Sequence, residues 1–466
     1  MLGASGSVAD LRGDTIAAVA TAAGRAALAV VRLSGPEARA IAARLGVPRD
    51  LVPRRATRVR LHRADRPAEP LDEAVVTAQV APRSFTGEDT VEFSVHGGAY
   101  VSRALLSALV EAGARPARAG EFSERAVLNG KLDLLQAEAI ADLIDARSAA
   151  MHRAALLQLG GALSHRIAEL REALLDVEAL IAYEIDFPDE DDGPLPRARA
   201  LAAAEHARAG IDALRATLPQ AELARDGFVV VLAGAPNAGK SSLFNALAGE
   251  TRAIVSEVPG TTRDAIELLV DDDPLPIRFV DTAGLRESAE AVERLGVEVS
   301  LLRLAGAHAV LVCADGDDEL ARACDAVRAH SAAPLIAVRT KADLIAGEET
   351  WRPPPTVRAT AAVAVSAATG AGLTAVRDAV RAIARTLAPD PAEEHATVTR
   401  ARHVHALEAA RDEIERFIDA WRDGVLPAPV AGTHVRAAVF ALDELVGGID
   451  ADEVLGRVFR TFCVGK

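Results

Sequence analysis

The sequence predicts a multidomain chain of α/β plus α class: an N-terminal α+β domain, then a helical bundle domain interrupted by an inserted, doubly wound α/β domain of the P-loop kind. Three observations carry this reading. An apolar, β-prone run, Phe228 to Ala233, leads through Gly234-Ala-Pro-Asn-Ala-Gly239-Lys240-Ser241 into the helical stretch Ser242 to Ala248, which is the order strand, glycine-rich loop, helix. Ile167, Leu170, Leu174, Val177 and Ile181 keep a three-four spacing before that unit, and Leu407, Ile414, Phe417 and Trp421 resume it afterwards, as expected of one helical bundle seam cut by an insertion. Short β-like runs punctuated by Pro and Gly fill the beginning of the chain. A length of 466 residues suits about three domains. The expected boundaries are 1–130, 131–224, 225–387 and 388–466.

In the first segment the strand-like runs are Ala27 to Val31, Ala74 to Val80 and Thr90 to Val95. Val91, Phe93 and Val95 alternate with Glu92, Ser94 and His96, so one face is polar and, on the residues alone, solvent-facing. From Lys131 onward the apolar spacing is helical. Ile185-Asp-Phe-Pro-Asp-Glu-Asp-Asp192 reads as a solvated acidic loop and Ala388-Pro-Asp-Pro391 as an exit linker. In the last helix Leu445 joins Val435, Val439, Leu442 and Val446, giving a broad buried face. Insertion anchors both ends of the α/β unit on one helical body, a route for passing a nucleotide-dependent rearrangement outward.

A formal charge of −15 argues against a protein that grips nucleic acid unaided, so a nucleic-acid substrate needs local basic patches or a second protein, and 3% aromatic residues argue against base-stacking platforms. Cys313, Cys324 and Cys463 lack paired or metal-ligand spacing, which favours a reducing compartment and no zinc site. Cys313 falls in the apolar strand Ala309 to Ala314 and reads as core, Cys324 as incidental, and Cys463 as either structural or reactive. Asp10, Arg12, Asp14 and Arg25 disfavour a secretory signal, and no run reaches membrane-spanning length, so a cytoplasmic protein is expected. Among fifty-two basic residues only Lys131, Lys240, Lys341 and Lys466 are lysine, which marks them as places where a compact ammonium on a flexible stem is wanted.

The glycine-rich loop turns backbone N–H groups toward phosphates, with Lys240 reaching the β and γ oxygens and Ser241 ligating Mg²⁺. Ile277 to Val280 ends in Asp281-Thr282-Ala283-Gly284, a γ-phosphate sensor in which Asp281 holds Mg²⁺ and the Gly284 amide meets the phosphate. Pro334 to Val338 leads to Thr340-Lys341-Ala342-Asp343, whose carboxylate suits a guanine edge while the lysine stem packs on the base; Ser366-Ala367-Ala368, after Ala362 to Val365, supplies a backbone contact to the guanine oxygen. Four motifs in this order read as a GTPase. Two departures stand out. Thr340 replaces a more usual Asn, an expected weakening of nucleotide binding, and Leu285 follows Gly284 where a water-orienting Gln is common.

Pro259-Gly-Thr-Thr-Arg-Asp264, Asp281-Thr-Ala-Gly-Leu-Arg-Glu287 and the terminal Phe462-Cys-Val-Gly-Lys466, with Ser84-Phe-Thr-Gly-Glu-Asp89, His96-Gly-Gly98 and Gly120-Glu-Phe-Ser-Glu-Arg125, resemble the tRNA-modification GTPase family MnmE, also called TrmE. That resemblance implies a cytoplasmic homodimer that binds GTP and tRNA. It also implies an FAD-containing partner, MnmG (GidA), forming a heterotetramer that modifies wobble uridine 34 at C5 with a one-carbon unit of 5,10-methylene- or 5-formyl-tetrahydrofolate. FAD belongs only to the partner. The first segment becomes a tetrahydrofolate-binding and dimerisation domain. The implied nucleotide contacts are Asn237, Ala238, Gly239, Lys240, Ser241, Ser242, Ser256, Thr261, Thr262, Asp281, Thr282, Ala283, Gly284, Thr340, Lys341, Asp343, Ser366, Ala367 and Ala368. Asn237, Ser256, Val258 and Thr261 are the implied K⁺ ligands, with K⁺ standing where an arginine finger would, and Ser241 and Thr262 the Mg²⁺ ligands. Glu293 matches the residue that orients the attacking water, whereas by sequence alone it reads as a solvated helix carboxylate. Arg32, Glu92, Lys131 and Lys466 fall to the folate.

The competing reading is a regulatory GTPase of ribosome assembly. Such proteins usually carry an appended basic RNA-binding domain, and here the C-terminal helical stretch is not basic and no Gly-x-x-Gly loop follows the GTPase segment.

Overall fold

The computed structural model describes residues 13–146, 148–186, 197–250, 267–272, 275–281, 304–344, 351–387, 396–423, 427–447 and 465. They pack as two compact units, one of Met1–Ala141, Gln158–Ile211 and His405–Lys466, the other of Asp142–Leu157 and Asp212–Val404. The chain therefore passes through the second unit twice before its last helices.

The first unit is built on β1 (Ile16–Val19), β2 (Leu28–Ser34), β3 (Thr57–His62), β4 (Pro70–Gln79), β5 (Thr90–His96) and the short β6 (Arg115–Pro116). They form one sheet of order β3-β4-β5-β2-β1-β6, antiparallel except where β6 joins β1. Val31, Leu33, Val91, Phe93 and Val95 point to one face, where the helices Ala38–Arg44 and Ala99–Glu111 bury Ile41, Leu105 and Leu109 against them. Leu105, Ala108 and Leu109 keep the three-four spacing that puts one helical stripe on a sheet. The three expected strands are present and longer than their apolar runs. β3 escaped sequence reading because Arg58 and Arg60 alternate with Val59 and Leu61, charged residues outward on an edge strand.

Helical residues of the same unit bear out the expected seam. Ile167, Leu170, Leu174, Val177 and Ile181 are all buried along the helix Ala162–Asp186. That helix lies along Ala428–Val446, where Val435, Leu442 and Leu445 are buried, and Arg171 Nε donates to Asp443 Oδ1 at 2.6 Å beside the seam. Leu407, Ile414, Phe417 and Trp421 are buried on Ala401–Asp423, with Phe417 and Trp421 rings stacked at 5.4 Å.

The second unit holds β7 (Phe228–Ala233), β8 (Glu267–Val270), β9 (Ile277–Asp281), β10 (Ala309–Ala314), β11 (Leu335–Arg339) and β12 (Ala361–Ala364) in the order β12-β11-β10-β7-β9-β8, parallel except for the β8–β9 pair. Leu311 and Cys313 of β10 face a core with Phe228, Val230, Leu243, Phe244 and Val376, while Val310 and Val312 face Leu320, Cys324 and Val327. A strand covered on both faces has no reason to alternate, which is why β7, β10 and β11 read as continuous apolar runs. Cys324 is not incidental: it is fully buried on the helix Asp317–Arg328, and burial raises its thiol pKa. No described helix is long and apolar enough to cross a membrane.

Candidate functional site

At the C-terminal edge of the parallel sheet, β7 runs out into the loop Gly234 to Gly239 and the chain re-enters order as the helix Lys240–Glu250. Gly234, at φ +141, lies so close to β10 that a Cβ would come within 2.2 Å of the Cys313 carbonyl oxygen. Only glycine lets the loop leave the strand there. Asn237 holds a left-handed φ of +62, which Asn tolerates better than most residues, and is exposed at the loop tip. The Lys240 side chain folds back under the loop, its Nζ donating to Gly234 O at 2.9 Å and Ala235 O at 2.8 Å, and is 8% exposed. An ammonium held at the first turn of a helix, where backbone N–H groups and the helix dipole favour an anion, is a phosphate-binding arrangement.

Asp281 ends β9, the strand adjoining β7, and is 3% exposed. Ser241 Oγ donates to its Oδ2 at 2.9 Å. A hydroxyl and a buried carboxylate converging on one point form a hard oxygen donor set that fits Mg²⁺.

The loops after β11 and β12 close the other side. Thr340, 4% exposed, donates from its backbone N–H to Ala314 O at 2.9 Å and from its hydroxyl to Ala238 O, also at 2.9 Å. The residue that departs from the usual motif thus ties the base-side loop to the phosphate loop. Lys341, at φ +55, donates to Asp315 Oδ2 at 2.6 Å, and that bond holds the Asp315 carboxyl below its ordinary pKa. Ser366, fully buried, donates from Oγ to Asp343 Oδ1 at 2.7 Å. Its carbonyl accepts from Gly370 N at 2.9 Å, closing the turn that presents Ala367 and Ala368. Ser242 is exposed in the first turn of the Lys240–Glu250 helix. Cys313, behind the loop, has its thiol pushed up to about 12 by burial and is inert core.

In the first unit Arg32 and Glu92 face each other across β2 and β5. Arg32 Nη2 lies 2.8 Å and Nε 2.9 Å from Glu92 Oε1, and the guanidinium sits 5.2 Å from the Phe85 ring centre and 5.6 Å from that of Phe122. The polar face of β5 is therefore paired and flanked by aromatic rings rather than simply solvated. Lys131 is exposed, with its stem against Gly87. Gly465 lies on the backbone of Val19 and Ala20, where a Cβ would meet Val19 O at 2.5 Å, so the residue before Lys466 reaches this unit's sheet. A carboxylate, a guanidinium and an ammonium in one region fit a pterin edge and a carboxylate tail.

Ser256, Val258, Thr261, Thr262, Thr282, Ala283, Gly284, Leu285, Glu293, Cys463 and Lys466 lie outside the described residues, as do most of the acidic loop and the exit linker. Sequence reading missed a charge cluster in the first unit, the buried Glu121 and Arg125 with the partly exposed Asp14, Glu88 and Arg115. Its one local signal was the four-residue spacing of Glu121 and Arg125.

Two family models match the chain, the GTP-binding protein TrmE N-terminus over residues 15–131 and the MnmE helical domain over residues 134–463. Among curated proteins, the tRNA modification GTPase MnmE of Methylorubrum populi is 43% identical over 460 residues, covering 98% of this chain and 99% of that protein. The protein of the same description from Laribacter hongkongensis is 39% identical over 461 residues, covering 97% and 99%. Among solved structures, the G domain of the T. maritima FeoB iron transporter is 26% identical, covering 34% of this chain and 98% of that one with a TM-score of 0.27.

Proposed function

The chain belongs to the MnmE family of tRNA modification GTPases and is a GTP hydrolase, and from that membership we propose that its turnover is activated by K⁺ and drives wobble-uridine modification. In this reading it adds an aminomethyl or carboxymethylaminomethyl group at C5 of uridine 34 in certain tRNAs. It works as a homodimer with the FAD-containing MnmG and takes its one-carbon unit from tetrahydrofolate. The observation that carries the nucleotide half is the convergence of Lys240, Ser241 and Asp281 at the edge of adjoining parallel strands, with Ser241 Oγ 2.9 Å from Asp281.

Ser241 and Asp281, with Thr262, are the residues that would hold Mg²⁺, which when bound neutralises charge on the β and γ phosphates. Lys240 places its ammonium against the same oxygens, and the first helical turn offers backbone N–H groups. Asp343, oriented by Ser366, accepts from the guanine edge, and the turn at Ala367 and Ala368 supplies the donor to the guanine oxygen. Leucine at 285 cannot orient water, so Glu293 takes that task. Asn237, with Ser256, Val258 and Thr261, would hold K⁺; a cation beside the bridging oxygens stabilises charge that develops in phosphoryl transfer.

Arg32, Glu92, Lys131 and Lys466 would hold the folate, Glu92 with Arg32 paired beside it on the pterin edge and the lysines toward the glutamate tail. The negative overall charge is consistent with tRNA being presented in a two-protein complex rather than gripped by this chain alone. The test is GTP turnover in K⁺ against Na⁺, with and without the flavoprotein, together with nucleoside analysis of tRNA from a deletion strain. Strong K⁺ preference and loss of the modified uridine are expected. Equal turnover in both salts overturns the K⁺ assignment, and normal tRNA overturns the modification role.

A further inference from the structure

The loop of residues 84–89 enters β5 and adjoins two of the proposed folate cations. Its Phe85 ring stands 5.2 Å from the Arg32 guanidinium, and its Gly87 lies where a Cβ would be 3.2 Å from Lys131 Cγ. The loop is held from within. Thr86, fully buried, places its hydroxyl 2.7 Å from that of Ser34, and Ser34 Oγ donates to Glu88 Oε2 at 2.8 Å. Asn129 Nδ2 donates to Thr86 O at 2.7 Å. Arg125 reaches the loop from the helix Glu121–Leu128, donating from Nη1 to the Glu88 oxygens at 3.1 and 3.3 Å.

Arg125 has a side chain only 3% exposed, and three carboxylates surround it. Asp14 Oδ1 lies 2.5 Å away and Glu121 Oε1 3.2 Å away, with Arg115 sharing both acids. Of the three, only Glu88 is on the loop. Hydroxyl bonds alone leave a loop free to pivot, whereas the single charged nitrogen Arg125 Nη1, shared between both Glu88 oxygens, adds a charge-assisted tie to the helix Glu121–Leu128. The same helix brings Phe122 to within 5.6 Å of Arg32, so one rigid element sets both aromatic neighbours of that cation, Phe122 directly and Phe85 through Glu88.

We propose that Glu88 and Arg125 are a positioning pair that fixes the 84–89 loop on Arg32 and Lys131, and thereby sets the affinity of the first unit for a folate without touching it. This rests on the folate reading given above. The full-length protein, Glu88→Gln, Glu88→Asp and Glu121→Gln are titrated calorimetrically with 5-formyl-tetrahydrofolate at 25 °C, with circular dichroism, thermal melts and GTP turnover measured on each. Glu121→Gln strips Arg125 of a partner that is not on the loop, so it reports the structural cost alone.

Glu88→Gln is expected to weaken folate binding about tenfold in folded protein with GTP turnover unchanged, since the charged acceptor of a partly buried bond is lost. Glu88→Asp should recover part of that affinity, and Glu121→Gln should lower the melting temperature at least as much while moving affinity less than about twofold. Native affinity in folded Glu88→Gln, or an equal loss in Glu121→Gln, overturns the pair as a positioning device. Should Glu88→Gln not fold, native affinity in Glu88→Asp overturns it equally. Absence of folate binding by the unaltered protein overturns the folate reading itself.

Discussion

Thr340→Val tests whether the departure from the usual guanine motif is a weakness or a substitute. Valine keeps the volume and branching of threonine and removes only the hydroxyl that donates to Ala238 O at 2.9 Å. With Thr340 4% exposed, water has little access to replace it. Losing one partner of a buried bond costs about 1–3 kcal/mol. The bond joins two protein segments, so part of that cost falls on folding and part on nucleotide binding, in proportion to how far the phosphate loop loosens. For a unit of this size each kcal/mol lowers the melting temperature by about 2–4 °C. Whatever remains appears in affinity, tenfold for each ~1.4 kcal/mol. The expected outcome is a melting temperature lower by about 2–8 °C and a weaker dissociation constant for fluorescent GDP, by up to about tenfold. Thr340→Asn, able to reach the same carbonyl, should bind at least as well as the native protein. Native stability and affinity in the valine variant would refute the tie between the two loops.

Other consequences are as direct. Glu293→Ala should leave GTP binding intact and abolish hydrolysis; unchanged turnover in K⁺ removes the residue from the mechanism. Gly234→Ala places a methyl group 2.2 Å from the Cys313 carbonyl at a φ of +141, so nucleotide binding, read by fluorescent GDP, should be lost or the unit should fail to fold. Asp14 and Glu121 carry carboxyls held below their ordinary values of 3.8 and 4.5: burial, the largest influence on each, pushes upward, but bonds and charge from Arg115 and Arg125, joined at Glu121 by the Arg118 N–H, outweigh it. Their folded values are depressed, so their stabilisation is complete above about pH 5 and fades as pH falls below 4.5 through the folded values. Urea melts from pH 7 to 3 should show that decline, and Glu121→Gln should flatten it. Cys313 should resist iodoacetamide at pH 8 until the protein is unfolded, because its thiol titrates at about 12.

Much of the α/β unit was legible because its parallel strands are buried on both faces. Phe228–Ala233 and Ala309–Ala314 coincide with their apolar runs for that reason. The helical seams were legible because one buried stripe repeats at the helical period, as Ile167 through Ile181 show. The first unit was read less completely. β3 carries two arginines on its outer face, and β6 is two residues long, too short for any periodicity.

The identity of the phosphate loop, the order of the four nucleotide motifs and the lysines that survive in an arginine-rich chain were determined by the sequence alone. Those are local matters, since a glycine, a lysine and a serine at fixed spacing need only a strand before them and a helix after. Partnership was decided by the tertiary structure. Arg32 opposite Glu92, Thr340 bonded across to Ala238, and Arg125 with Asp14 and Glu88 join residues tens to about a hundred positions apart. Which charge meets which is set by strand register and helix packing, and a buried charge is tolerated only where that packing brings its partner.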